Sequence, residues 1–144
     1  MALSIKPYIE NKERIHLIGI GGVSMNSLAE LLLSKGVPVS GSDRLRTDVT
    51  ARLEALGAAI TYEHRPENVE GASLIVRTAA VHDENPEIVR AHELGIPVME
   101  RAEAWGHIMR DYDNVVCLSG THGKTTSTSM MTMMTIEAQM DPTV

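Results

Sequence analysis

The amino-acid sequence predicts an α/β fold, a Rossmann-like open parallel sheet with flanking helices. Short apolar runs alternate with segments of helical period along the 144-residue chain, which is typical of parallel βαβ units. Two apolar runs are followed by glycine turns, at Gly19–Gly22 and Gly120–Gly123, and each turn opens a helical segment. A glycine turn between a strand and a helix is a common binding site for phosphate groups.

The first half of the chain supplies the clearest elements. The run 15–20 reads as a buried strand, and a helix follows because apolar residues recur at helical spacing until Gly36. That apolar stripe consists of Met25, Leu28, Ala29, Leu32 and Leu33. A second strand begins at 37–39, and Thr47 or Asp48 caps the next helix, which ends at Gly57.

The second half repeats the alternation. Strands are predicted at 59–62, 74–76, 96–99 and 115–118. Asn85 and Pro86 form an N-cap and first-turn pair for a helix that Gly95 closes. Further helices are expected around Trp105 and from about 125 to 139.

Composition excludes several classes of function. The formal net charge of −6 argues against nucleic-acid binding, and 3% aromatic residues are too few for base-stacking surfaces. No apolar run approaches the ~18–20 residues that cross a bilayer, and the N-terminus lacks a secretory signal. We therefore expect a cytoplasmic protein without membrane insertion. The single Cys117, inside an apolar run, is expected to be buried.

The first glycine turn, 19–24, suits a diphosphate because glycine lets the backbone approach the ligand. It departs from the dinucleotide-binding pattern at Ser24, which stands where that pattern has glycine. Asp43 follows the second strand, where an acidic residue can meet a ribose or a base. A structural turn without a ligand, with Asp43 as a turn or capping residue, remains the alternative.

The second glycine turn is more specific. It has the form G-x-x-G-K-T, with Lys124 to reach phosphate oxygens and Thr125 to ligate Mg²⁺. A mononucleotide site is therefore expected here, rather than an incidental Gly-Lys-Thr sequence. Within the 144 residues no acidic metal partner lies on a following strand, so we expect phosphoryl transfer to be incomplete.

Together, the two turns and the sequence Ser40–Asp43 resemble the Mur ligases, the ATP-dependent ligases that build the peptide of bacterial peptidoglycan. His122 in the second turn resembles the histidine that the L-alanine-adding members of this family carry there. The resemblance implies a UDP-sugar-binding domain over residues 1–112 and the start of an ATP-binding domain over 113–144. It implies UDP-N-acetylmuramate, ATP and L-alanine as substrates with Mg²⁺ as cofactor, and leaves the oligomeric state open.

The resemblance also implies roles for individual residues. UDP-sugar contacts would come from Gly21, Gly22, Val23, Ser24, Ser42, Asp43, Thr78, Ala79 and Ala80, with His82 and Arg101 as weaker candidates. ATP phosphates would meet Gly120, Thr121, Gly123, Lys124, Thr125 and Thr126, with Mg²⁺ on Thr125. Lys124 and His122 are the catalytic candidates, and His122 would lie near the substrate carboxylate or the γ-phosphate.

The implied reaction activates the sugar carboxylate as an acyl phosphate, which the L-alanine amine then attacks. We expect the 144-residue chain alone to be inactive, since the remaining Mg²⁺ ligands and the alanine site are absent from it. A non-catalytic UDP-sugar or NAD(P)-binding Rossmann module is the alternative function. Five methionines between 130 and 140 predict an apolar, partly exposed surface on the last helix.

Overall fold

The computed structural model describes residues 3–142. The chain divides into two compact units, one up to Asp111 and one from Tyr112. Each unit is described by itself.

The first unit is built on a five-stranded parallel sheet, as the alternating pattern predicts. Its strands in chain order are β1 Ile15–Ile18, β2 Val39–Ser42, β3 Ala59–Thr61, β4 Leu74–Arg77 and β5 Val98–Glu100. Their spatial order is β3-β2-β1-β4-β5. The sheet therefore grows from the central β1 in both directions, which is the Rossmann arrangement.

Helices precede, connect and follow these strands. They are α1 Lys6–Glu10, α2 Val23–Ser34, α3 Asp48–Ala55, α4 Pro86–Glu93 and α5 Arg101–Met109, with a short 3₁₀ turn at Pro66–Val69. The capping predictions are confirmed: the Thr47 hydroxyl accepts from the Thr50 N–H, and the Asn85 side chain accepts from the Glu87 N–H. Neither α1 nor the 3₁₀ turn was expected, because both are too short to show a period.

The core lies on both faces of the sheet. All four residues of β1 are buried, as expected for a central parallel strand covered on each side. One face packs against α2, whose buried residues Met25, Leu28, Ala29 and Leu32 are four of the five predicted. The other face, around Ile18 and Ile75, packs against Ile88 and Ala91 of α4.

The second unit differs from expectation. Its helix α6, Lys124–Glu137, forms with a methionine-rich surface that is exposed, as predicted. The predicted strand over 115–118 is wrong: no strand forms there, and Cys117, expected to be buried, is exposed. A strand needs a hydrogen-bonded neighbour, and the described part of this unit contains no other extended segment.

Within residues 3–142 no helix combines the length and the apolar character needed to cross a membrane.

Candidate functional site

The candidate site lies at the carboxyl edge of the parallel sheet. There β1 sits between β2 and β4, with Ile18 opposite Ser42 and Leu17 opposite Val76. The glycine turn after β1, Asp43 after β2, the segment 78–80 after β4 and Arg101 after β5 therefore meet at one edge. Ligands of open α/β sheets bind at this edge, where the strand order reverses.

The first glycine turn is held by main-chain hydrogen bonds. The Ser42 carbonyl accepts from the N–H groups of Gly19 and Ile20, at 2.8 and 3.1 Å. Gly19 has a φ of +78°, which a side chain would strain, and its carbonyl accepts from the Gly22 N–H at 3.0 Å. The chain thus turns tightly from β1 into α2.

Two N–H groups at the start of α2 are available to an anion. The N–H of Gly21 donates to Asp43 Oδ2 at 2.8 Å, and that of Gly22 is used within the turn. Among the described residues, the N–H groups of Val23 and Ser24 have no acceptor. The first-turn N–H groups of a helix attract negative charge, so Val23 and Ser24 are the strongest candidates for phosphate donors among the four residues predicted.

Asp43 and Ser42 take supporting positions in the structure. The Asp43 carboxylate accepts a hydrogen bond from Gly21, and it also stabilises the turn that follows β2. Its Oδ1 atom accepts from the N–H groups of Arg44 and Leu45 at 2.7 and 3.2 Å. Ser42 is fully buried and its hydroxyl donates to Glu87 Oε2 at 2.7 Å. The Ser42 side chain therefore lies beneath the site and does not present itself to a ligand.

A buried carboxylate beneath the site escaped the sequence prediction. Glu87 is fully buried, and Oε1 accepts from the Asn68 amide at 2.6 Å while Oε2 lies 2.9 Å from His64 Nδ1. His16 Nε2 lies 3.4 Å from Oε1, too long for a good hydrogen bond. His16, inside the apolar run of β1, was the one feature of the sequence that pointed to this cluster, because a buried imidazole needs a hydrogen-bond partner.

Burial raises the pKa of Glu87, but the contacts from His16, Asn68, Ser42 and His64 outweigh it and lower the pKa to about 2. The carboxylate is therefore ionised at neutral pH. The serine, histidine and glutamate do not form a nucleophilic triad, because Ser42 and Glu87 both contact the same nitrogen of His64. A triad needs the two imidazole nitrogens to face different partners.

The remaining predicted residues of the first unit border the edge. Ala79, Ala80 and His82 are exposed, whereas Thr78 and Arg101 are half-buried. Arg77 forms an ion pair with Asp83, and its hydrogen bond lowers the pKa of that carboxyl. Trp105 Nε1 donates to the Ser24 carbonyl at 3.3 Å, which ties α5 to the first turn of α2.

The second glycine turn has phosphate-binding geometry of its own. Gly123 precedes α6 with a φ of +78°, and the N–H groups of Lys124, Thr125 and Thr126 have no acceptor among the described residues. Lys124 Nζ donates to the Gly120 carbonyl at 2.6 Å, so the ammonium group folds over the turn. Residues 120–126, His122 included, are exposed.

This turn fits phosphate better than it fits a bare metal ion. Three free N–H groups and an ammonium group all favour an anion. The described residues contain no group of three His, Cys, Asp or Glu side chains that could hold a metal.

Comparison with known proteins agrees with these observations. The family model described as "Mur ligase family, catalytic domain" matches residues 14–113. The UDP-N-acetylmuramate–L-alanine ligase of Clostridium novyi is 48% identical over 135 residues, 94% of this chain, and the enzyme of Acetivibrio thermocellus is 48% identical over 132 residues, 92% of this chain. These spans are 30% and 28% of the two relatives, so the chain spans less than a third of their length.

Solved structures show the same similarity. The UDP-N-acetylmuramate–alanine ligase of Thermotoga maritima superposes with a TM-score of 0.82 at 35% identity, over 88% of this chain and 30% of that one. A murein peptide ligase of Psychrobacter arcticus gives 0.82 at 27% identity, over 88% and 27%. Because the family model covers well over half of the sequence, the chain belongs to the Mur ligase family.

Proposed function

We propose that this chain is the sugar-nucleotide-binding portion, with the ATP phosphate loop, of a ligase that joins L-alanine to UDP-N-acetylmuramate. One observation carries the proposal: the two free N–H groups of Val23 and Ser24 stand at the carboxyl edge of a chain 48% identical to such a ligase from Clostridium novyi. A diphosphate needs donors of this kind. The reaction would run in the cytoplasm, where ATP is supplied.

The expected domain over residues 1–112 would hold the sugar nucleotide. Val23 and Ser24 would donate to the diphosphate, and the small residues 78–80 would lie beside it at the end of the neighbouring strand. Asp43, already bound to Gly21, is half-buried at the same edge. Its carboxylate would contact the uridine. His82 and Arg101 would contact the sugar from further along the edge.

The expected start of an ATP-binding domain over residues 113–144 would hold the triphosphate of ATP. Main-chain N–H groups of residues 124–126 would bind the phosphates, and Lys124 would release Gly120 to neutralise their charge. His122, exposed in the same turn, would accompany the γ-phosphate or the substrate carboxylate. Gly120, Thr121 and Gly123 shape the turn.

The chemistry explains why two anion sites occur in one chain. An anionic carboxylate must attack the anionic γ-phosphate, which displaces ADP and forms an acyl phosphate. The L-alanine amine then displaces inorganic phosphate from the acyl carbon and loses a proton, which leaves the amide. Positive groups that lower this repulsion stabilise the transition state more than the ground state. Mg²⁺ on Thr125 would supply further positive charge at the phosphates.

Ligand binding by the 144-residue protein tests the first half of the proposal. In calorimetric titrations we expect UDP-N-acetylmuramate to give a heat of binding and NADPH to give none. NADPH binding that UDP-N-acetylmuramate does not displace would overturn the proposal in favour of a dinucleotide-binding module. Lys124→Ala should abolish ATP binding while sugar-nucleotide binding is retained.

A chimaera tests the reaction itself. The segment of the Clostridium novyi relative that aligns with this chain would be replaced by this chain, and ADP release would be followed with each amino acid. We expect release that depends on L-alanine and on UDP-N-acetylmuramate, and that Lys124→Ala abolishes. A folded chimaera that is inactive, or that prefers another amino acid, would contradict the proposed activity.

A further inference from the structure

The buried carboxylate of Glu87 is joined to the glycine turn through a single residue. The Ser42 hydroxyl donates a hydrogen bond to Glu87 Oε2. The main-chain carbonyl of Ser42 accepts hydrogen bonds from the N–H groups of Gly19 and Ile20. Two hydrogen-bonded steps therefore separate Glu87 from the turn that opens α2. Neither step is exposed to solvent, because Ser42 and Glu87 are both fully buried.

Glu87 is itself held from separate parts of the first unit. His16 of β1, His64 beyond β3 and Asn68 of the 3₁₀ turn surround it, and Asn85 caps the helix that carries it. Asn68 is fixed in turn, since its amide also donates to the Glu63 carbonyl at 2.8 Å. The carboxylate thus has little freedom to move away from Ser42.

β2 packs closely against the glycine turn beside Ser42. A Cβ atom on Gly41, the neighbour of Ser42, would lie 2.7 Å from both Ile20 Cδ1 and the Leu17 carbonyl oxygen. A side chain at this position would therefore clash with the backbone of β1 and with Ile20. The main chain of β2 next to Ser42 thus lies against Ile20 of the turn.

We propose that Glu87 is a positioning residue for the glycine turn, orienting Ser42 so that its carbonyl holds Gly19 and Ile20 and the free N–H groups of Val23 and Ser24 face the ligand. The inference rests on the proposed function for the identity of that ligand, a uridine diphosphate sugar. Glu87 touches no substrate and acts only through Ser42.

A carboxylate suits this position better than an amide. Glu87 Oε1 accepts from the Asn68 amide, with His16 Nε2 3.4 Å away, and Oε2 accepts from the Ser42 hydroxyl, with His64 Nδ1 2.9 Å away. A carboxylate only accepts, whereas glutamine would turn an NH₂ group toward one of those pairs. Glu87→Gln therefore keeps the volume and loses the hydrogen bonds on one oxygen, which loosens Ser42.

The test uses the full 144-residue protein and two readouts. In nitrogen–proton spectra without ligand, Glu87→Gln should shift the amide resonances of Gly19, Ile20 and Val23. In calorimetry its affinity for UDP-N-acetylmuramate should fall about tenfold or more, as expected for the loss of one buried charged hydrogen bond. Unchanged turn resonances together with unchanged affinity would overturn the proposal.

Control variants separate positioning from general stability. Glu93→Gln alters an exposed carboxylate on the same helix, and Ile88→Val removes a methyl group from the core beside Glu87. Both should keep wild-type affinity, the second despite a lower melting temperature. Equal affinity losses in Ile88→Val and Glu87→Gln would mean that the effect is only destabilisation.

The proposal can still be tested if Glu87→Gln does not fold or if the wild-type protein does not bind the sugar nucleotide. If Glu87→Gln does not fold, Ser42→Ala removes the same link alone and must show the same shifts and loss of affinity for the proposal to stand. If the wild-type protein binds no UDP-N-acetylmuramate, the proposed function fails, while the amide shifts of the turn still decide whether Glu87 positions it.

Discussion

The main-chain N–H of Gly21 donates to Asp43 Oδ2 across 2.8 Å. This bond joins the turn after β1 to the turn after β2, and it draws a carboxylate toward a loop that is otherwise suited to anions. A Cβ atom on Gly21 would lie 2.9 Å from the same oxygen, so the approach requires glycine. The pair fixes which N–H groups of the turn remain for a ligand.

Removing that carboxylate should weaken binding of the sugar nucleotide. In Asp43→Ala the Gly21 N–H loses its acceptor and the turn loosens, so we expect affinity for UDP-N-acetylmuramate to fall about tenfold by calorimetry. Asp48→Ala is the matched control, because it removes an exposed carboxylate from the first residue of α3, just beyond the connection that holds Asp43. Equal affinities for the two variants would contradict the role of Asp43.

Val23→Pro isolates one donor at the start of α2. Val23 is the first residue of the helix and 87% exposed, and Gly22 before it has φ −65° and ψ 145°. Proline is well accepted at this helical position and after such a residue. We expect an unchanged melting temperature and an affinity for UDP-N-acetylmuramate reduced about tenfold. Val23→Ala, which keeps the N–H, should bind normally; equal losses would show that the side chain matters instead.

Acid should destabilise the protein through Glu87. Its pKa is lowered from 4.5 to about 2 in the folded state, so the stabilisation, about 3 kcal/mol, is fully present above pH ~4.5 and is lost as the pH falls toward 2. Urea unfolding measured between pH 6 and pH 3 should show this loss in the wild type. A curve for Glu87→Gln with the same pH dependence would exclude Glu87 as its source.

Replacing Gly41 or Gly106 by alanine should change the free energy of unfolding in opposite directions. Gly41→Ala forces a Cβ atom against the Leu17 carbonyl and Ile20, which should lower the free energy of unfolding by about 1–3 kcal/mol. Gly106 lies inside α5 with nothing within 4 Å of a Cβ atom. Gly106→Ala should stabilise the protein by roughly 0.5–1 kcal/mol. Thermal unfolding of both variants measures these changes. A Gly41→Ala variant as stable as the wild type would contradict the close packing of β2.

Much of the first unit could be predicted from local patterns. The five strands, the α2 stripe and the caps at Thr47 and Asn85 depend on neighbours along the chain, which the sequence displays directly. The strand expected at 115–118 failed for the opposite reason. Its apolar residues favour a strand, but a strand is completed by a partner, and the described second unit supplies none.

The candidate site was predictable in outline and not in detail. The glycine turn and Asp43 appeared as motifs, yet the bond between them, which occupies the Gly21 N–H, depends on the sheet order. Glu87 occupies an ordinary first-turn position, where a glutamate is expected to face solvent. Its burial becomes apparent only when β1, β2 and α4 are assembled around it.

The most direct test of the central claim, that the first glycine turn binds a sugar diphosphate, is a titration of the ¹⁵N-labelled protein with UDP-N-acetylmuramate. We predict that the amide resonances of Val23 and Ser24 move most, with smaller changes at residues 78–80 and none along α3. Binding that moves other resonances and leaves Val23 and Ser24 in place would contradict the account.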